Sequence, residues 1–207
     1  MAFAASLHPL SLADAFRASA LRTPGRIALV AGGEVLSYAD LLHPPRGKTY
    51  ASQTARWLVE LIAQPPGGED RPAAALRDGA LSHREAALGA LDNIVMHAAY
   101  DRDDTLACTL PPDTRNGVVA ATIALWLGGT LHQEPPGELA AVLGGIAAGR
   151  FHTWWLGRAD AEALGKVSAL PAPSPKFRMA VLAEPPSAAV RARLDGWLGA
   201  ERVREAA

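Results

Sequence analysis

The chain has 207 residues, of which 49% are apolar and 20% are charged, with a formal net charge of -1. This length allows one domain or one and a half around a buried core. The balanced charge excludes the basic surface that nucleic-acid and anionic-membrane binders usually carry. No segment approaches the roughly 20 consecutive apolar residues of a membrane span, and residues 1–6 lack the pattern of an export signal. A cytoplasmic protein is therefore predicted.

The N-terminal third reads as a helix followed by a hairpin. Ser11 is expected to cap a helix, with Asp14 three positions later completing the capping box. Gly32-Gly33 then predicts a turn between two short strands. The following elements are predicted in chain order: a helix from Ser11 to Arg22, strands 27–31 and 35–37, a helical turn 38–42, a helix 50–63 and a loop 64–72.

The rest of the chain alternates between strands and helices. Ser82 and Glu85 form a capping box at the start of a helix that extends to Ala98. The later predicted elements are strand 105–110, helix 116–127, helix 137–148, strand 151–156, helix 159–168, strand 177–183 and helix 187–198. Alternation of this kind is typical of the α/β class, in which helices flank a mainly parallel sheet. We predict an N-terminal helix and hairpin segment at 1–64 and an α/β core at 65–207.

Three stretches of the sequence resemble the N-terminal domain of acyl-CoA synthetases and related adenylate-forming enzymes. The first runs from Leu12 to Leu41 and includes Thr23-Pro24 and Leu36-Ser37-Tyr38. The second runs from Gly79-Ala80-Leu81-Ser82-His83-Arg84 to Gly128-Gly129-Thr130, and the third comprises 151–157 and 177–199. The order and spacing of these segments fit the family over most of the chain. The resemblance implies a fold and an ancestry in which a carboxylic acid is activated with ATP.

The phosphate loop of that family has no good counterpart here. Family members hold phosphates with a Ser/Thr-Gly-rich loop followed by Pro-Lys-Gly, because backbone N–H groups, hydroxyls and a lysine all favour an anion. The matching residues 67–79 include Glu69, Asp70 and an alanine run, and contain no lysine. Gly67-Gly68 together with Arg71 and Arg77 could still bind an anion, but a simple turn is the favoured interpretation. No cofactor is predicted.

Other parts that the family uses are also without counterparts. About a hundred residues that normally precede the phosphate loop are almost absent, and the chain ends at 205–207, before the expected Tyr-Gly-x-Thr-Glu motif. The resemblance therefore supplies no adenine-contacting Tyr, metal-binding Glu, ribose-binding Asp or catalytic Lys. Asp113 and Thr114 occupy the place of an aromatic-His pair in the acyl pocket, where a carboxylate is costly unless paired, with Arg115 as the expected partner. No catalytic, cofactor-binding or metal residue is assigned, and substrate-binding residues are left open.

A few remaining residues allow a functional or a structural interpretation. His97, Asp101, Asp103 and Asp104 could hold a metal ion, but a polar helix end explains them as well and is favoured. Ser82-His83 could be a nucleophile and base, yet adjacent helical residues point about 100° apart, so Ser82 is assigned as a cap. The run 151–156, with Trp154, Trp155 and His152, could face a pocket or partner, but a buried strand is favoured.

The lone cysteine, Cys108, lies in an apolar run and is predicted to be a buried core residue. A single cysteine excludes an internal disulfide framework and favours a reducing compartment.

These observations lead to one leading hypothesis and two rivals. The leading hypothesis is a degenerate, non-catalytic acyl-CoA synthetase-like protein that binds a partner protein or an acyl-type ligand. The alternative is a ligase component completed in trans by another chain, and the third is a relic without function. An exposed apolar surface would favour partner binding over the relic, because large apolar patches usually mark interfaces. Nucleic acid and membrane are not expected partners, and the oligomeric state is left open.

Overall fold

The computed structural model describes residues 11–65, 68, 70–97 and 100–207. Within them a seven-stranded sheet is flanked by helices, which confirms the predicted α/β class. The helices are α1 (Leu12–Arg22), α2 (Tyr38–Leu42), α3 (Gln53–Ala63), α4 (His83–His97), α5 (Arg115–Trp126), α6 (Leu139–Ala147), α7 (Arg158–Leu164) and α8 (Ala188–Leu198). The strands are β1 (Ile27–Ala31), β2 (Glu34–Ser37), β3 (Pro72–Leu76), β4 (Gly79–Ser82), β5 (Thr105–Cys108), β6 (Thr130–Gln133), β7 (Thr153–Leu156), β8 (Met179–Leu182) and β9 (Val203–Glu205).

The large sheet has the strand order β2-β1-β6-β5-β7-β8-β9. Only β2 is antiparallel to its neighbour, and every other adjacent pair is parallel. The two faces carry separate cores, because successive side chains of a strand point to opposite sides. Trp155 packs with α1 to α5 on one face, and Trp154 packs with α6 to α8 on the other. Both tryptophans are fully buried, so the predicted buried strand is confirmed.

The N-terminal hairpin forms as its sequence predicts. Gly32 and Gly33 both have positive φ, at 57° and 79°, which a two-residue turn of this hand requires. The predicted capping of α1 is wrong: the Ser11 side chain makes no cap hydrogen bond, and Asp14 instead pairs with Arg17 at 2.8 Å. Strands from both predicted segments join one sheet, and a domain division at residue 64 stays a prediction.

Four of the strands were not predicted. The β3–β4 hairpin forms its own two-stranded sheet, while β6 and β9 are short strands of the large sheet. The predicted loop 64–72 ends where β3 begins. Parts of several predictions lie outside the described residues: residues 1–6, Pro66, Gly67 and Glu69 of the loop, and Ala98 at the end of the predicted helix.

The helices pack tightly where the sheet is covered. Residues 117–125 of α5 are all buried, as its apolar sequence predicts. Gly89 of α4 allows close approach to α5, since a Cβ there would lie 3.0 Å from Val119. No helix in the described part of the chain is long and apolar enough to cross a lipid bilayer.

Candidate functional site

An open cleft of about 800 Å³ lies at the carboxyl edge of the large sheet. Its walls include residues that directly follow four parallel strands: Thr109 and Leu110 after β5, Pro136 after β6, Gly157 after β7, and Ala183 after β8. Ligands of open α/β sheets bind in such crevices, because the strand ends and following loops converge there. The topology therefore makes this cleft the candidate site.

The turn of the β3–β4 hairpin forms one wall of the cleft. This turn consists of Arg77 and Asp78, between the paired residues Leu76 and Gly79. The Arg77 backbone N–H donates to the Asp113 carbonyl at 3.1 Å, and its guanidinium Nε donates to the Asp113 carboxylate at 2.8 Å. Asp113 was expected to pair with Arg115, and this expectation is wrong. Residues 67–79, which take the position of the phosphate loop in the order of segments, end in this turn, and there Arg77 makes one backbone and one side-chain hydrogen bond to Asp113. This pair of hydrogen bonds is called the clasp below.

The pairing with Asp113 holds Arg77 at the edge of the cleft. A hydrogen bond to the carboxylate, supported by its charge, raises the pKa of the Arg77 guanidinium. Arginine is a cation at neutral pH in any case, and 65% of this side chain is exposed.

The segment that follows Asp113, at the start of α5, lines the cleft and is held in place by side-chain hydrogen bonds. The Thr114 hydroxyl accepts the Gly117 N–H at 3.2 Å and donates to the Pro111 carbonyl at 2.7 Å. A Cβ at Gly117 would lie 2.2 Å from that carbonyl oxygen, so only glycine fits. The Asn116 side chain donates to the Ala183 carbonyl at 3.1 Å, which ties α5 to the end of β8.

Acidic side chains outnumber basic ones in the lining. The basic residues are Arg77, Arg115 and Arg158, and the acidic residues are Asp78, Glu85, Asp113, Asp160 and Glu184. Asp160 is buried and accepts the Gly137 N–H at 2.9 Å, so it has a structural role. Arg115 and Arg158 are exposed and form no ion pair with any described residue. No lysine occurs among the described lining residues.

The Cys108 thiol lies just beneath the cleft. It is fully buried, as predicted, and burial raises its pKa to about 12. A thiol of such high pKa is protonated at neutral pH and does not act as a nucleophile.

The cluster proposed as an alternative metal site is dispersed by the fold. Asp103 pairs with Arg26, and Asp104 pairs with Arg178 at the amino edge of the sheet, opposite the cleft. Groups of three potential metal ligands are absent from the residues that the structure describes. Asp103 and Asp104 are thus each held by an arginine, and the Asp104 carboxylate also accepts the Asp101 N–H at 2.8 Å.

Ser82 and His83 are structural residues. The Ser82 hydroxyl accepts the Glu85 N–H, and Glu85 accepts the Ser82 N–H, which confirms the predicted capping box. His83 is buried: its Nδ1 accepts the Leu12 N–H at 3.1 Å, and its Nε2 contacts Gln64 Oε1 at 2.8 Å. Because Nδ1 accepts, the proton resides on Nε2. Burial lowers the pKa of His83 and keeps it neutral.

The tryptophans of β7 are buried in the sheet next to the cleft, and their indole N–H groups donate hydrogen bonds. Trp154 Nε1 donates to the Thr109 hydroxyl at 3.3 Å, directly under the cleft, and Trp155 Nε1 donates to the Tyr100 hydroxyl at 3.0 Å. His152 lies at the opposite end of the strand, where its Nδ1 accepts the Thr105 N–H. Trp154, Trp155 and His152 are not among the residues that line the cleft.

Sequence reasoning missed Arg158 and Glu184 as cleft residues. The available signal was positional: each follows a predicted parallel strand by one or two residues, and such positions converge at the carboxyl edge. That signal is weak without knowledge of the strand order.

The fold is that of the N-terminal domain of adenylate-forming enzymes. The cleft lies at the carboxyl edge of the sheet, where open α/β sheets in general bind ligands. The comparable structures include O-succinylbenzoate coenzyme A synthetase (MenE) from Bacillus subtilis, in its unliganded form. It superposes with a TM-score of 0.67 at 13% identity, covering 89% of this chain and 59% of that one. The chain thus spans less than two thirds of the MenE chain.

Two further structures support the same assignment of the fold. The nonribosomal peptide synthetase FmoA3, in an AMPPNP-bound form, matches with a TM-score of 0.72 at 18% identity, over 94% of this chain and 31% of that one. The N-terminal subdomain of NpsA from Klebsiella oxytoca, in complex with 3-hydroxyanthranilyl-AMSN, gives a TM-score of 0.59 at 15% identity. The match covers 89% of this chain and 69% of that one. No protein-family model matches the sequence, and no characterised protein matches it at a significant level. At these identities the likeness establishes the fold.

Proposed function

We propose that the chain is a non-adenylating ligand-binding protein built on the adenylate-forming scaffold, and that its cleft takes an acyl-type carboxylate. The observation that carries this proposal is the clasp between Arg77 and Asp113. Arg77 belongs to residues 67–79, the stretch that takes the position of the family's phosphate loop in the order of sequence segments.

The charge of the cleft argues against ATP as its ligand. A triphosphate requires several donors and cations at close range. Here the acidic residues outnumber the basic ones, the lysine is missing from the lining, and one of the three arginines is already paired with Asp113. A polyanion would meet net repulsion in this cleft.

A single carboxylate fits the same surroundings better. Arg115 and Arg158 line the cleft, and each interacts with a described carboxylate, Glu85 and Glu162 respectively, through charge alone and not through a direct ion pair. A guanidinium binds a carboxylate through two parallel hydrogen bonds, so both remain able to bind a ligand carboxylate. Leu76, Ala80 and Ala183 are at least partly exposed and offer apolar surface to a short hydrocarbon tail. The volume lies within the range of about 300–1,000 Å³ that small-molecule sites usually have.

The test is calorimetry with a series of straight-chain carboxylates of four to ten carbons, compared with the primary alcohols of the same lengths. We expect saturable binding of carboxylates and none of alcohols. Arg115→Gln and Arg158→Gln should each weaken carboxylate binding by about tenfold or more, because a charged hydrogen bond is lost. Arg102→Gln is the matched control, since Arg102 is exposed and distant from the lining. Equal binding of alcohols and carboxylates, or binding unaffected by both cleft variants, would overturn the proposal.

A further inference from the structure

The edge strand β9 and the residues after it bury little surface. β9 lies at one edge of the large sheet and is paired with β8. Val203 is the only buried residue between positions 203 and 207, a segment that we call the β9 strap. Edge segments with few buried contacts open at a lower free-energy cost than the core, without unfolding of the whole chain. The strap can therefore detach while the rest of the sheet stays intact.

One face of α4 holds the β9 strap in place. The buried Asn93 side chain accepts the Ala207 N–H at 3.1 Å. His97 follows Asn93 by four residues and so lies on the same face, where its ring meets Arg204 and the backbone of Glu205. The His97 Nε2 atom is buried and has no hydrogen-bond partner among the described residues. A protonated His97 would therefore carry a buried N–H without an acceptor, next to the Arg204 cation.

The groups that face His97 oppose its protonation while the strap is bound. Burial and the charge of Arg204 on β9 lower the pKa of His97, and the backbone of Glu205 offsets part of this effect. The Glu205 carboxylate does not compensate, because it pairs with Arg191 at 3.1 Å. On α4 itself the neighbour of His97 on this face is the neutral Asn93. His97 is therefore neutral beside the bound strap, and its pKa returns to the ordinary value near 6.5 on release.

We propose that the β9 strap is released by mild acid: it stays bound while His97 is neutral and detaches when that ring takes up a proton. The released state binds the proton more tightly, so lowering the pH below about 6.5 favours release by up to about tenfold per pH unit. Release would leave the buried strand β8 as the sheet edge, with backbone groups free to pair with another strand. The Ala206 N–H donates to the Leu182 carbonyl at 2.9 Å, one residue before Ala183 in the cleft wall. The inference is independent of what the cleft binds.

Amide hydrogen exchange of the full 207-residue chain, followed by NMR from pH 7.5 to 5.5, tests the proposal. We expect the protection factors of the Ala206 and Ala207 amides to fall by several-fold to about tenfold over this range. The amide of Leu106, in the buried central strand β5, should stay at least about tenfold better protected at every pH, because release of the strap is local. The readout is the ratio of protection at pH 7.5 to that at pH 5.5, which a uniform change in packing does not alter.

Three variants identify the group that takes up the proton. His97→Gln should bring this ratio close to one for both strap amides, because glutamine stays neutral. Arg204→Gln should reduce the ratio, since loss of the facing cation raises the pKa of the bound His97. His43→Gln, at an exposed position, is the control and should leave the ratio unchanged. Strap protection that does not change with pH overturns the proposal, as does a ratio that His97→Gln leaves at the wild-type value, or Leu106 protection that falls to the level of the strap.

Discussion

Arg77 and Asp113, 36 residues apart in the sequence, hold the β3–β4 turn against the loop that precedes α5. Two hydrogen bonds join them, one from the backbone and one from the guanidinium. Since this turn forms a wall of the cleft, the pair holds that wall against the loop before α5.

Arg77→Gln should loosen this turn without unfolding the protein. Most of the Arg77 side chain is exposed, so the melting temperature should change little. The amide protons of Asp78 and Gly79 should exchange several-fold faster, because the guanidinium bond to Asp113 is lost. Hydrogen exchange followed by mass spectrometry measures this change, with Arg102→Gln as the control. Unchanged exchange in the turn would contradict the role assigned to the clasp.

The histidines should make the fold sensitive to mild acid. Burial lowers the pKa of His83, His97, His132 and His152 below the ordinary value near 6.5. The unfolded chain therefore takes up protons first as the pH falls, so the free energy of unfolding should be constant above about pH 7 and decrease below 6.5. Urea unfolding at intervals from pH 8 to 5.5 measures this slope.

A histidine variant isolates one contribution to that slope. His83→Gln can keep the bonds to Leu12 and Gln64 but cannot be protonated. It should flatten the decrease in unfolding free energy below pH 6.5, whereas His43→Gln, at an exposed position, should leave it unchanged. A slope equal to that of the wild type in the His83 variant would show that this residue is not held neutral by burial.

Alanine substitutions at two neighbouring glycines of α6 should have opposite effects on the free energy of unfolding. A Cβ at Gly144 meets nothing within 4 Å, so Gly144→Ala should stabilise the fold by about 0.5–1 kcal/mol through helix propensity. A Cβ at Gly145 would lie 2.1 Å from the Phe151 ring, so Gly145→Ala should destabilise it by about 1–3 kcal/mol through overpacking. Chemical denaturation of the two variants measures both effects. Equal changes in the free energy of unfolding of the two variants would contradict the packing of α6 on Phe151.

The Cys108 thiol should be inert in the folded protein. Its burial and raised pKa leave it protonated and inaccessible. The reagent 5,5′-dithiobis(2-nitrobenzoate) at pH 8 should react with Cys108 of the native protein no faster than the protein unfolds. It should react with Cys108 of the protein unfolded in 6 M guanidinium within seconds. Rapid reaction of the native chain would place Cys108 at the surface of the cleft.

Elements with strong local signals were predicted well. Gly32-Gly33 between two apolar runs strongly favours a tight turn, so the first hairpin could be found. The nearly continuous apolar run of α5 indicated an enclosed helix. The β3–β4 hairpin was missed because its first strand is Pro72 followed by three alanines, which lack the β-branched and aromatic residues of typical strands. The four-residue β6 has a partly polar sequence and takes its conformation from two neighbouring strands.

The site was predicted less well than the fold, for a physical reason. The cleft is created by the strand order, which joins residues such as Leu110 and Ala183 that are far apart in the chain. Local reasoning paired Asp113 with the nearby Arg115, whereas the fold brings it to Arg77. Sequence patterns specify which faces are buried, but they do not specify which loops converge.

The central claim is that this chain does not bind ATP, and titration of ATP with magnesium into the purified chain in a calorimeter tests it most directly. The account predicts no saturable heat for the chain alone, at concentrations at which a carboxylate gives a full isotherm. Saturable ATP binding by the chain alone would contradict the claim, and binding that appears only with a copurifying protein would point instead to a ligase completed in trans.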